Sequence, residues 1–371
     1  MRKLASIIRA NIEKHAPYHG VAKRVIILMY KFGLIVFGKY NTKKKNIIRA
    51  IQENRPELLD NRKQYKQVFN DVMYCCFIYK NLPQEYFSYK FNLLSHEGRS
   101  TFVTCGNKKP YYKVFNNPNC AEFLNKKTET YRKYGQFFGR EVLAIIDAND
   151  FKSFESFAER HSVFIYKPAE DAGGNGIKIY DCKKYSSLRE LFDVILMRGA
   201  CVVEELIQQG EEIARIHSGS VNTVRYVTFR SKNGEIVPQW CFLRMGSGES
   251  VTDNMSGGGI SAKIDINTGI ICDYGRDYNR NKFLYHPDSG FQLLGYQLPE
   301  WDNLKVLAEK CADVMPELRF IGWDFAYSTE GWILVEGNAQ AQCVAPQITE
   351  YGGMLHTYKD MMKKYKKEIG V

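Results

Sequence analysis

The chain has 371 residues, of which 44% are hydrophobic and 25% are charged. This composition is typical of a soluble globular protein and excludes a disordered or fibrous one. Residues 1–50 contain twelve lysines and arginines and one acid, so they carry the whole formal net charge of +11. The balanced remainder argues against a nucleic-acid-binding protein with a basic face throughout.

The cysteines and the apolar segments limit the cellular setting. Ten cysteines are scattered without a C-x-x-C pair, which predicts neither a disulfide framework nor a zinc site and suits a reducing cytoplasm. We expect no secretory signal, because Arg9 and Glu13 interrupt the first apolar run. The most apolar stretch, at 25–38, contains Lys31 and is shorter than the roughly 20 residues that cross a bilayer. No transmembrane helix is therefore expected.

The first region of the chain has a helical pattern. From residue 1 to about 105, apolar residues recur at three-to-four spacing, which predicts several amphipathic helices. The segment "TFVTCGNKKPYYKVFNN", at 101–117, combines β-branched and aromatic residues with Gly and Pro and predicts short strands. The helical pattern returns at 120–135. Residues 1–110 are therefore expected to form a basic, mostly helical region.

From about residue 141, short apolar strands alternate with helices, which predicts an α+β or α/β domain. Past residue 220, three hairpins are predicted, two of them with turns at "KNGE" and "STEG". A helix, "EWDNLKVLAEKCADVM", precedes the last hairpin. We expect boundaries that give regions 1–110, 111–210 and 211–345, followed by a C-terminal helix at 346–371.

Lys167 ends a predicted strand in "VFIYKPAEDAGGNGI" and is followed by a glycine pair. Glycines let backbone N–H groups approach phosphate oxygens, and a lysine supplies a point charge, so this segment is a candidate phosphate cradle. The alternative is an ordinary turn after an edge strand. The spacing is neither that of a Walker loop nor that of a Rossmann fingerprint.

A candidate metal site lies in "GWDFAYSTEGWILVEGNAQAQ". A hairpin that turns near Thr329 brings Asp324 opposite the strand that ends with Glu336 and Asn338. The surrounding sequence is strongly apolar, and buried carboxylates need partners or a metal. Mg²⁺ binds through one or two carboxylates plus substrate phosphates. The alternative is a solvated acid on each strand.

These segments, together with "CVVEELIQQGEE" and "NKKTETYRKYGQFFGREV", resemble the ATP-grasp superfamily in their order and spacing, over roughly residues 111–345. The resemblance implies an α+β, ATP-grasp fold in which two α+β subdomains clasp ATP, here with a helical N-terminal region. It also implies ATP and Mg²⁺ as cofactors.

The resemblance further implies roles for particular residues. Lys126 would reach the nucleotide, Lys167 would contact its α- and β-phosphates, and the glycine loop would fold over the β- and γ-phosphates. Glu204 and Leu206 would offer backbone groups to adenine, and Glu211 would take the ribose. The implied nucleotide-binding residues are Lys126, Lys167, Ala172, Gly173, Gly174, Asn175, Gly176, Glu204, Glu205, Leu206 and Glu211. The implied metal ligands are Asp324, Glu336 and Asn338.

"HSGSVNTVRYVTF" followed by "DNMSGGGISAKIDINTG" is similar to the sugar-transfer-associated branch of the superfamily. In that light Arg225 and Lys263 are candidate catalytic residues. Arg225 would contact the transferred phosphate or a substrate carboxylate, which suits its planar guanidinium, and Lys263 would make another phosphate contact. The alternative for Arg225 is an outward-facing residue on a strand. His217 is given no catalytic role.

The chemistry that the resemblance implies is ligation: ATP phosphorylates a carboxylate, and an amine or another nucleophile then displaces phosphate. One alternative is a phosphotransferase, in which a hydroxyl keeps the phosphate, and another is an inactive nucleotide-binding or scaffolding protein. The expected partner is a small-molecule or sugar-linked substrate of surface-polysaccharide biosynthesis, not a nucleic acid.

The basic N-terminus has two interpretations. The charges of residues 1–50 beside the apolar run at 25–38 predict an interfacial helix on an anionic membrane. The alternative is a solvated helical face. The first interpretation predicts a cytoplasmic protein in peripheral contact with the inner face of the cell membrane.

Overall fold

The structure, a computed structural model, describes residues 11–169, 176–250, 252–341, 343–349 and 352–369. The chain divides into two compact units, one formed by Met1–Tyr111 with Cys343–Val371 and the other by Tyr112–Gln342. Among the described residues, every helix is too short or too polar to span a bilayer.

The helices and strands of the described residues follow in chain order. The helices are α1 (Gly20–Val36), α2 (Tyr40–Asn54), α3 (Arg62–Ile78), α4 (Pro83–Ser88), α5 (His96–Ser100), α6 (Lys109–Phe115), α7 (Pro118–Phe123), α8 (Lys127–Tyr134), α9 (Phe151–Arg160), α10 (Leu188–Leu196), α11 (Glu211–Ala214), α12 (Trp301–Asp313), α13 (Val344–Thr349) and α14 (Leu355–Ile369). The strands are β1 (Val142–Ile145), β2 (Val163–Pro168), β3 (Lys178–Asp181), β4 (Cys201–Glu205), β5 (Thr223–Arg230), β6 (Ile236–Met245), β7 (Ile260–Ile264), β8 (Gly275–Arg276), β9 (Lys282–Phe283), β10 (Phe320–Ser328) and β11 (Gly331–Asn338).

The first unit is helical, as the three-to-four spacing predicts. Its C-terminal part is tied to its N-terminal part through Gln347 of α13, which is fully buried. The Gln347 amide accepts from the backbone N–H of Val103 at 2.7 Å and donates to the Val103 carbonyl at 2.8 Å and to the Tyr89 hydroxyl at 3.0 Å. One buried amide thereby satisfies both backbone groups of Val103, as buried polar groups require.

The second unit contains two antiparallel sheets. The first has the strand order β1-β4-β2-β3. Helices α9 and α10 pack against it, and their apolar residues, spaced three and four apart, bury Phe154, Phe157, Leu191 and Ile195 in one core. This sheet positions Lys167 at the end of β2 and Glu204 near the end of β4.

The second sheet has the order β11-β10-β5-β6-β7-β8-β9, and its pairs are all antiparallel. Helix α12 packs on one face, where the rings of Trp301 and Tyr226 lie 6.0 Å apart between centroids. The predicted hairpin with the "STEG" turn is confirmed, because Ser328 pairs with Gly331 and Asp324 pairs with Glu336. The predicted "KNGE" hairpin is confirmed as β5–β6.

One prediction of secondary structure is wrong. Residues 101–117 form turns and helix α6 instead of short strands. The cause is tertiary packing, which overrides strand propensity: Tyr112 and Phe115, three residues apart, are buried on one helix face against Phe320. The expected C-terminal helix is present as α14, and the range 346–371 also holds the end of α13. Between them the backbone passes so close to Thr101 that a Cβ on Gly353 would lie 2.1 Å from its carbonyl carbon.

Candidate active site

A cavity of about 330 Å³ lies in the second unit. It combines residues of the first sheet, of the segment around α8 and of strand β11. Its lining consists of Leu124, Asn125, Lys127, Thr130, Tyr131, Phe138, Val142, Lys167, Val202, Glu204, Val335, Glu336, Gly337 and Asn338. The structure thus brings Lys167, Glu204, Glu336 and Asn338, which the sequence analysis selected from three separate segments, to one site.

Lys167 is held in place by a buried acid. Its Nζ lies 2.8 Å from Oε1 of Glu204, and the lysine side chain is only 14% exposed. The two strands that carry them are adjacent, with Lys167 opposite Val202 and Ile165 opposite Glu204. The ammonium group therefore reaches the cavity wall in a fixed position.

Arg140, which the sequence analysis missed, completes this ion cluster. Its Nε and Nη2 donate to Oε2 of Glu204 at 2.9 and 2.6 Å, and its Nη1 donates to the carbonyls of Phe138 and Leu334. Burial alone would raise the pKa of Glu204, but the charges of Arg140 and Lys167 outweigh it and lower the pKa to about 2. Glu204 is thus an anion at neutral pH, and the cluster carries one net positive charge.

The other candidates lie in one row across the second sheet. Glu336, Asp324, Arg225, Phe242 and Lys263 are direct partners on the successive strands β11, β10, β5, β6 and β7. Directly opposed residues of an antiparallel sheet point to the same face. Four residues selected from the sequence therefore share one face and one row, with Lys263 separated from Arg225 by Phe242.

Asp324 is the centre of a second ion cluster. Arg225 donates from Nε to Oδ1 and from Nη2 to Oδ2, the latter at 2.8 Å, and Nη1 of Arg244 donates to Oδ2 at 2.8 Å. The carboxylate is buried. Burial would raise its pKa, but the two guanidinium groups lower it to about 2. Asp324 is therefore ionised, and it fixes both arginine side chains.

Arg244 and Asp253, also missed by the sequence analysis, extend this cluster. Nη2 of Arg244 donates to Oδ1 of Asp253 at 2.8 Å and to Oδ1 of Asn254 at 2.5 Å. The hydroxyl of Thr223 donates to the other oxygen of Asp253. Both charged residues are buried or nearly so, and the only sequence signal for Arg244 is its place on the same strand face as Phe242.

The family follows from the sequence over the region that contains this site. Residues 107–363 match the sequence model described as sugar-transfer associated ATP-grasp. The chain belongs to this family. Its fold is the ATP-grasp fold, preceded here by a helical N-terminal region, as the sequence predicts.

Several solved structures are similar to this ATP-grasp chain at low identity. N5-carboxyaminoimidazole synthetase from Staphylococcus aureus, complexed with ADP, has 10% identity and a TM-score of 0.41, over 62% of this chain and 48% of that one. The ATP-grasp ligase PsnB, complexed with minimal precursor, has 12% identity and a TM-score of 0.41, over 67% of this chain and 63% of that one. D-alanyl-alanine synthetase A from Vibrio cholerae has 10% identity and a TM-score of 0.43, over 69% of this chain and 68% of that one. The chain thus covers less than two thirds of the first two. No curated protein matches it.

The predicted metal residues of this ATP-grasp protein offer oxygen atoms that fit Mg²⁺. Glu336 is exposed and lines the cavity beside Asn338, whose Nδ2 donates to Glu336 Oε1 at 3.1 Å. Desolvation by the surrounding protein atoms and the negative charge of Asp324 raise the pKa of Glu336. Hard oxygen donors with adjacent negative charge suit Mg²⁺. Asp324 already binds two arginines, so Glu336 and Asn338 are the better available donors.

Other predicted nucleotide-binding residues lie apart from the cavity lining. Lys127 lines the cavity, whereas the side chain of Lys126 lies 3.8 Å from Glu129. The Glu205 carboxylate accepts from the backbone of Glu141, and Glu211 is exposed at the start of α11.

The predicted backbone role of Glu204 needs correction. Glu204 pairs with Val142 on one side and with Ile165 on the other, so its main chain takes part in the sheet and its buried carboxylate is what faces the site. Leu206 directly follows β4. Within the predicted glycine loop, residues 172–175 lie outside the described residues. Gly176 is described and has a φ of +76°, a backbone conformation that favours glycine.

Proposed function

We propose that this protein is an ATP-dependent ligase that activates a carboxylate as an acyl phosphate and joins it to an amine or another nucleophile. The observation that carries the proposal is the cavity in which the positive Lys167–Glu204–Arg140 cluster lies near the Glu336–Asn338 pair. A site of this kind supplies a cation for phosphates and oxygen donors for a metal. Membership of the ATP-grasp family supports ATP as the nucleotide.

ATP fits the chemistry of the cavity lining. Phe138, Val142 and Val202 give an apolar wall suited to adenine, and Lys167 offers its ammonium group to the phosphates. Glu204 holds the Lys167 ammonium group in position at 2.8 Å, so little reorganisation is needed when an anion binds. The cavity is within the usual range for small-molecule sites, roughly 300–1,000 Å³.

Glu336 and Asn338, with Asp324 behind them, would hold Mg²⁺. When bound, Mg²⁺ neutralises charge on the transferred phosphate. The protein residues orient the reactants: Arg225, fixed by Asp324, and Lys263 project from the same sheet face and would bind the carboxylate or the phosphate in transfer. Positioning and charge neutralisation supply most of the catalysis in phosphoryl transfer.

The reaction balances in two steps. A substrate carboxylate oxygen attacks the γ-phosphorus of ATP, the bond to the β–γ bridging oxygen breaks, and ADP leaves. An amine nitrogen then attacks the acyl carbon, the C–O bond to phosphate breaks, and the amine proton passes to phosphate or water. The family description, sugar-transfer associated, supports a sugar-linked substrate of surface-polysaccharide biosynthesis.

The test is ³¹P NMR of ATP and Mg²⁺ incubated with the protein and pooled small acids, amines and nucleotide sugars. We expect ADP and free phosphate with the unaltered protein and with the control Glu330→Gln, which lies in the exposed β10–β11 turn. Glu336→Gln is expected to abolish both products. ADP with a new phosphate ester and no free phosphate would mean a phosphotransferase instead, and AMP with pyrophosphate would contradict the mechanism.

We also propose that the first unit binds an anionic membrane surface through α1, which would place the protein at the cytoplasmic face. One face of α1 packs on α3, with Ile26 and Ile27 buried and Lys23 Nζ 2.6 Å from Asp71. The opposite face is a stripe of exposed apolar side chains at helical spacing, namely Val21, Val25, Leu28, Met29, Phe32, Ile35 and Val36.

The positive charge around this stripe favours anionic lipid over a second copy of the chain as the binding partner. Arg24 is exposed on α1, Lys39 lies between α1 and α2, and Lys44 and Lys45 are exposed in the first turns of α2. Residues 1–50 hold one acid against twelve basic residues. A second copy of the chain would bring like charges together, whereas anionic lipid attracts them at about 1 kcal/mol per basic residue. An apolar stripe beside basic residues is typical of an interfacial helix.

Sedimentation with vesicles tests this surface. We expect the protein to sediment with phosphatidylglycerol vesicles and not with phosphatidylcholine vesicles. Leu28→Glu and Phe32→Glu should abolish sedimentation, and Met197→Glu, at an exposed apolar position of the second unit, should not. Unchanged vesicle binding by Leu28→Glu would overturn the proposal. So would the finding that the unaltered protein binds no vesicles and forms a dimer that Leu28→Glu dissociates.

A further inference from the structure

Three side chains in the second unit, which the proposed active site does not use, form a separate cluster. His217, His286 and Asp288 each offer one ligand atom, and these atoms lie within 4.8 Å of one another. Nδ1 of His217 lies 3.4 Å and Nδ1 of His286 lies 4.0 Å from Oδ2 of Asp288. Two imidazoles and one carboxylate thus face a common point.

The hydrogen bonds of His286 indicate which of its ring nitrogens carries the proton. Nδ1, the nitrogen that faces Asp288, is the unprotonated one. Its Nε2 lies 2.9 Å from the carbonyl oxygen of Gly246. A carbonyl only accepts, so Nε2 carries the proton and Nδ1 presents a lone pair. The backbone N–H of Asp288 points to Nδ1 at 3.4 Å, which agrees with this tautomer. A backbone carbonyl that fixes the distant nitrogen is the usual support of a metal-binding histidine.

The Asp288 carboxylate is held in place by a hydrogen bond, and it is partly exposed, so solvent can reach the cluster. Its Oδ2 accepts from the backbone N–H of Gly248 at 2.7 Å, and its side chain is 38% exposed. The two histidines are buried. The carboxylate therefore stands at the mouth of a site whose other two donors lie inside the protein.

His217 is the second buried imidazole beside Asp288. Its side chain is 6% exposed, and among the described residues its Nε2 has no hydrogen-bond partner. Nδ1 faces the Asp288 oxygen at 3.4 Å, beyond the usual hydrogen-bond length. Nδ1 therefore has no short hydrogen bond to Asp288 and can serve as a metal donor.

We propose that His217, His286 and Asp288 bind one Zn²⁺ ion, with water as the fourth ligand. Two neutral imidazoles and a carboxylate form a donor set found in three-ligand zinc sites. Metal–ligand bonds of about 2.0–2.2 Å in a tetrahedral site place ligand atoms about 3.3–3.6 Å apart. The His217–Asp288 spacing of 3.4 Å already fits this geometry, and the His286–Asp288 spacing of 4.0 Å has to close by roughly half an ångström. The sequence spacing could not predict this site, since its ligands come from distant loops.

The ion would fix the loops next to the catalytic strands. The carbonyl of His217 accepts from Nδ2 of Asn222 at 2.7 Å, directly before β5 with Arg225. Gly246, which holds His286, directly follows β6 with Arg244. The ion would therefore help to position the loops that flank β5 and β6.

The test uses tag-free, full-length protein that has been treated with EDTA and then titrated with Zn²⁺ against a chromophoric chelator. We expect one equivalent bound with a submicromolar Kd. Asp288→Asn keeps an acceptor for the Gly248 N–H, so it should fold normally and bind Zn²⁺ at least about 10-fold more weakly. His217→Gln serves as a second ligand variant. Asp302→Asn, exposed on α12, and His356→Gln, on α14, are matched controls that should bind like the unaltered protein.

A second measurement reports the ligand geometry. Co²⁺ in place of Zn²⁺ should give the strong d–d absorption of a four-coordinate site, and Asp288→Asn should lose it. Absence of stoichiometric Zn²⁺ binding, or equal affinity in the unaltered protein and in both ligand variants, would overturn the proposal and leave the three side chains as an internal polar cluster.

Discussion

At the scale of single residues, Glu204 decides the electrostatics of the candidate active site. Its carboxylate receives three charge-assisted hydrogen bonds from Arg140 and Lys167 and is 6% exposed. The lysine was predicted from its place before a glycine pair. The arginine was not, because Arg140 lies far from Glu204 in sequence and only the pairing of β1 with β4 brings their segments together.

Glu204→Gln should destabilise the second unit strongly. The change leaves the buried guanidinium of Arg140 without its counter-charge, and removing one partner of a buried ion pair costs about 3–5 kcal/mol. The urea midpoint of unfolding is expected to fall. Glu205→Gln is the matched control, because its amide oxygen can still accept from the Glu141 backbone. Equal midpoints for the two variants would mean that the cluster contributes little to stability.

Glu85 gives the stability of the first unit a pH dependence. Burial raises its pKa to about 7, although the backbone N–H groups of Leu82 and Cys105 bind the carboxylate and oppose the shift. Since the folded pKa lies above the ordinary 4.5, this group's stabilising effect is complete below pH 4.5 and is lost as the pH rises through 7. The loss amounts to about 3 kcal/mol.

The measurement is the Tm between pH 5 and 8. The Tm of the unaltered protein should fall relative to that of Glu85→Gln as the pH rises, since glutamine does not titrate. Glu53→Gln, at an exposed position of α2, should track the unaltered protein. A constant difference between the unaltered protein and Glu85→Gln across this range would contradict the assignment.

At the scale of elements, the hairpins were the most predictable part of the fold. Alternating apolar residues around "STEG" fixed the register that sets Asp324 opposite Glu336. The pattern could not predict that β10 pairs with β5 or that β7 pairs with β6 in the sheet. These pairings create the row of residues that includes Arg225 and Lys263. Helix α6 was missed because its burial depends on Phe320, a distant residue.

The turn between β7 and β8 holds α12 against the sheet through a glycine. Gly269 has a φ of +78°, and a Cβ there would lie 2.4 Å from the ring of Trp301. Gly269→Ala should lower stability by about 2 kcal/mol or more, because it combines backbone strain with displacement of a buried ring. Gly290→Ala, at φ +69° with open space, should cost only the strain. Similar urea midpoints for the two variants would contradict the packing argument.

At the scale of the whole molecule, the two units differ in charge and in the features that they carry. The helical unit carries the basic segment of residues 1–50 and the exposed stripe of α1, whereas the ATP-grasp unit carries the cavity and both ion clusters. The sequence predicted the family and the fold because several weak motifs occur in a fixed order. It could not predict Arg244, Asp253 or the histidine cluster, whose partners are set by tertiary structure.

The measurement that tests the central claim most directly is calorimetric titration of ATP, with and without Mg²⁺, into the unaltered protein, Lys167→Met and Lys178→Met. Lys167→Met leaves Glu204 paired with Arg140, and Lys178 is an exposed lysine on the adjacent strand. We predict that Mg²⁺ strengthens ATP binding, that Lys167→Met weakens it at least about 10-fold, and that Lys178→Met leaves it unchanged. ATP binding that is absent, or equal in all three proteins, would contradict a nucleotide site at Lys167.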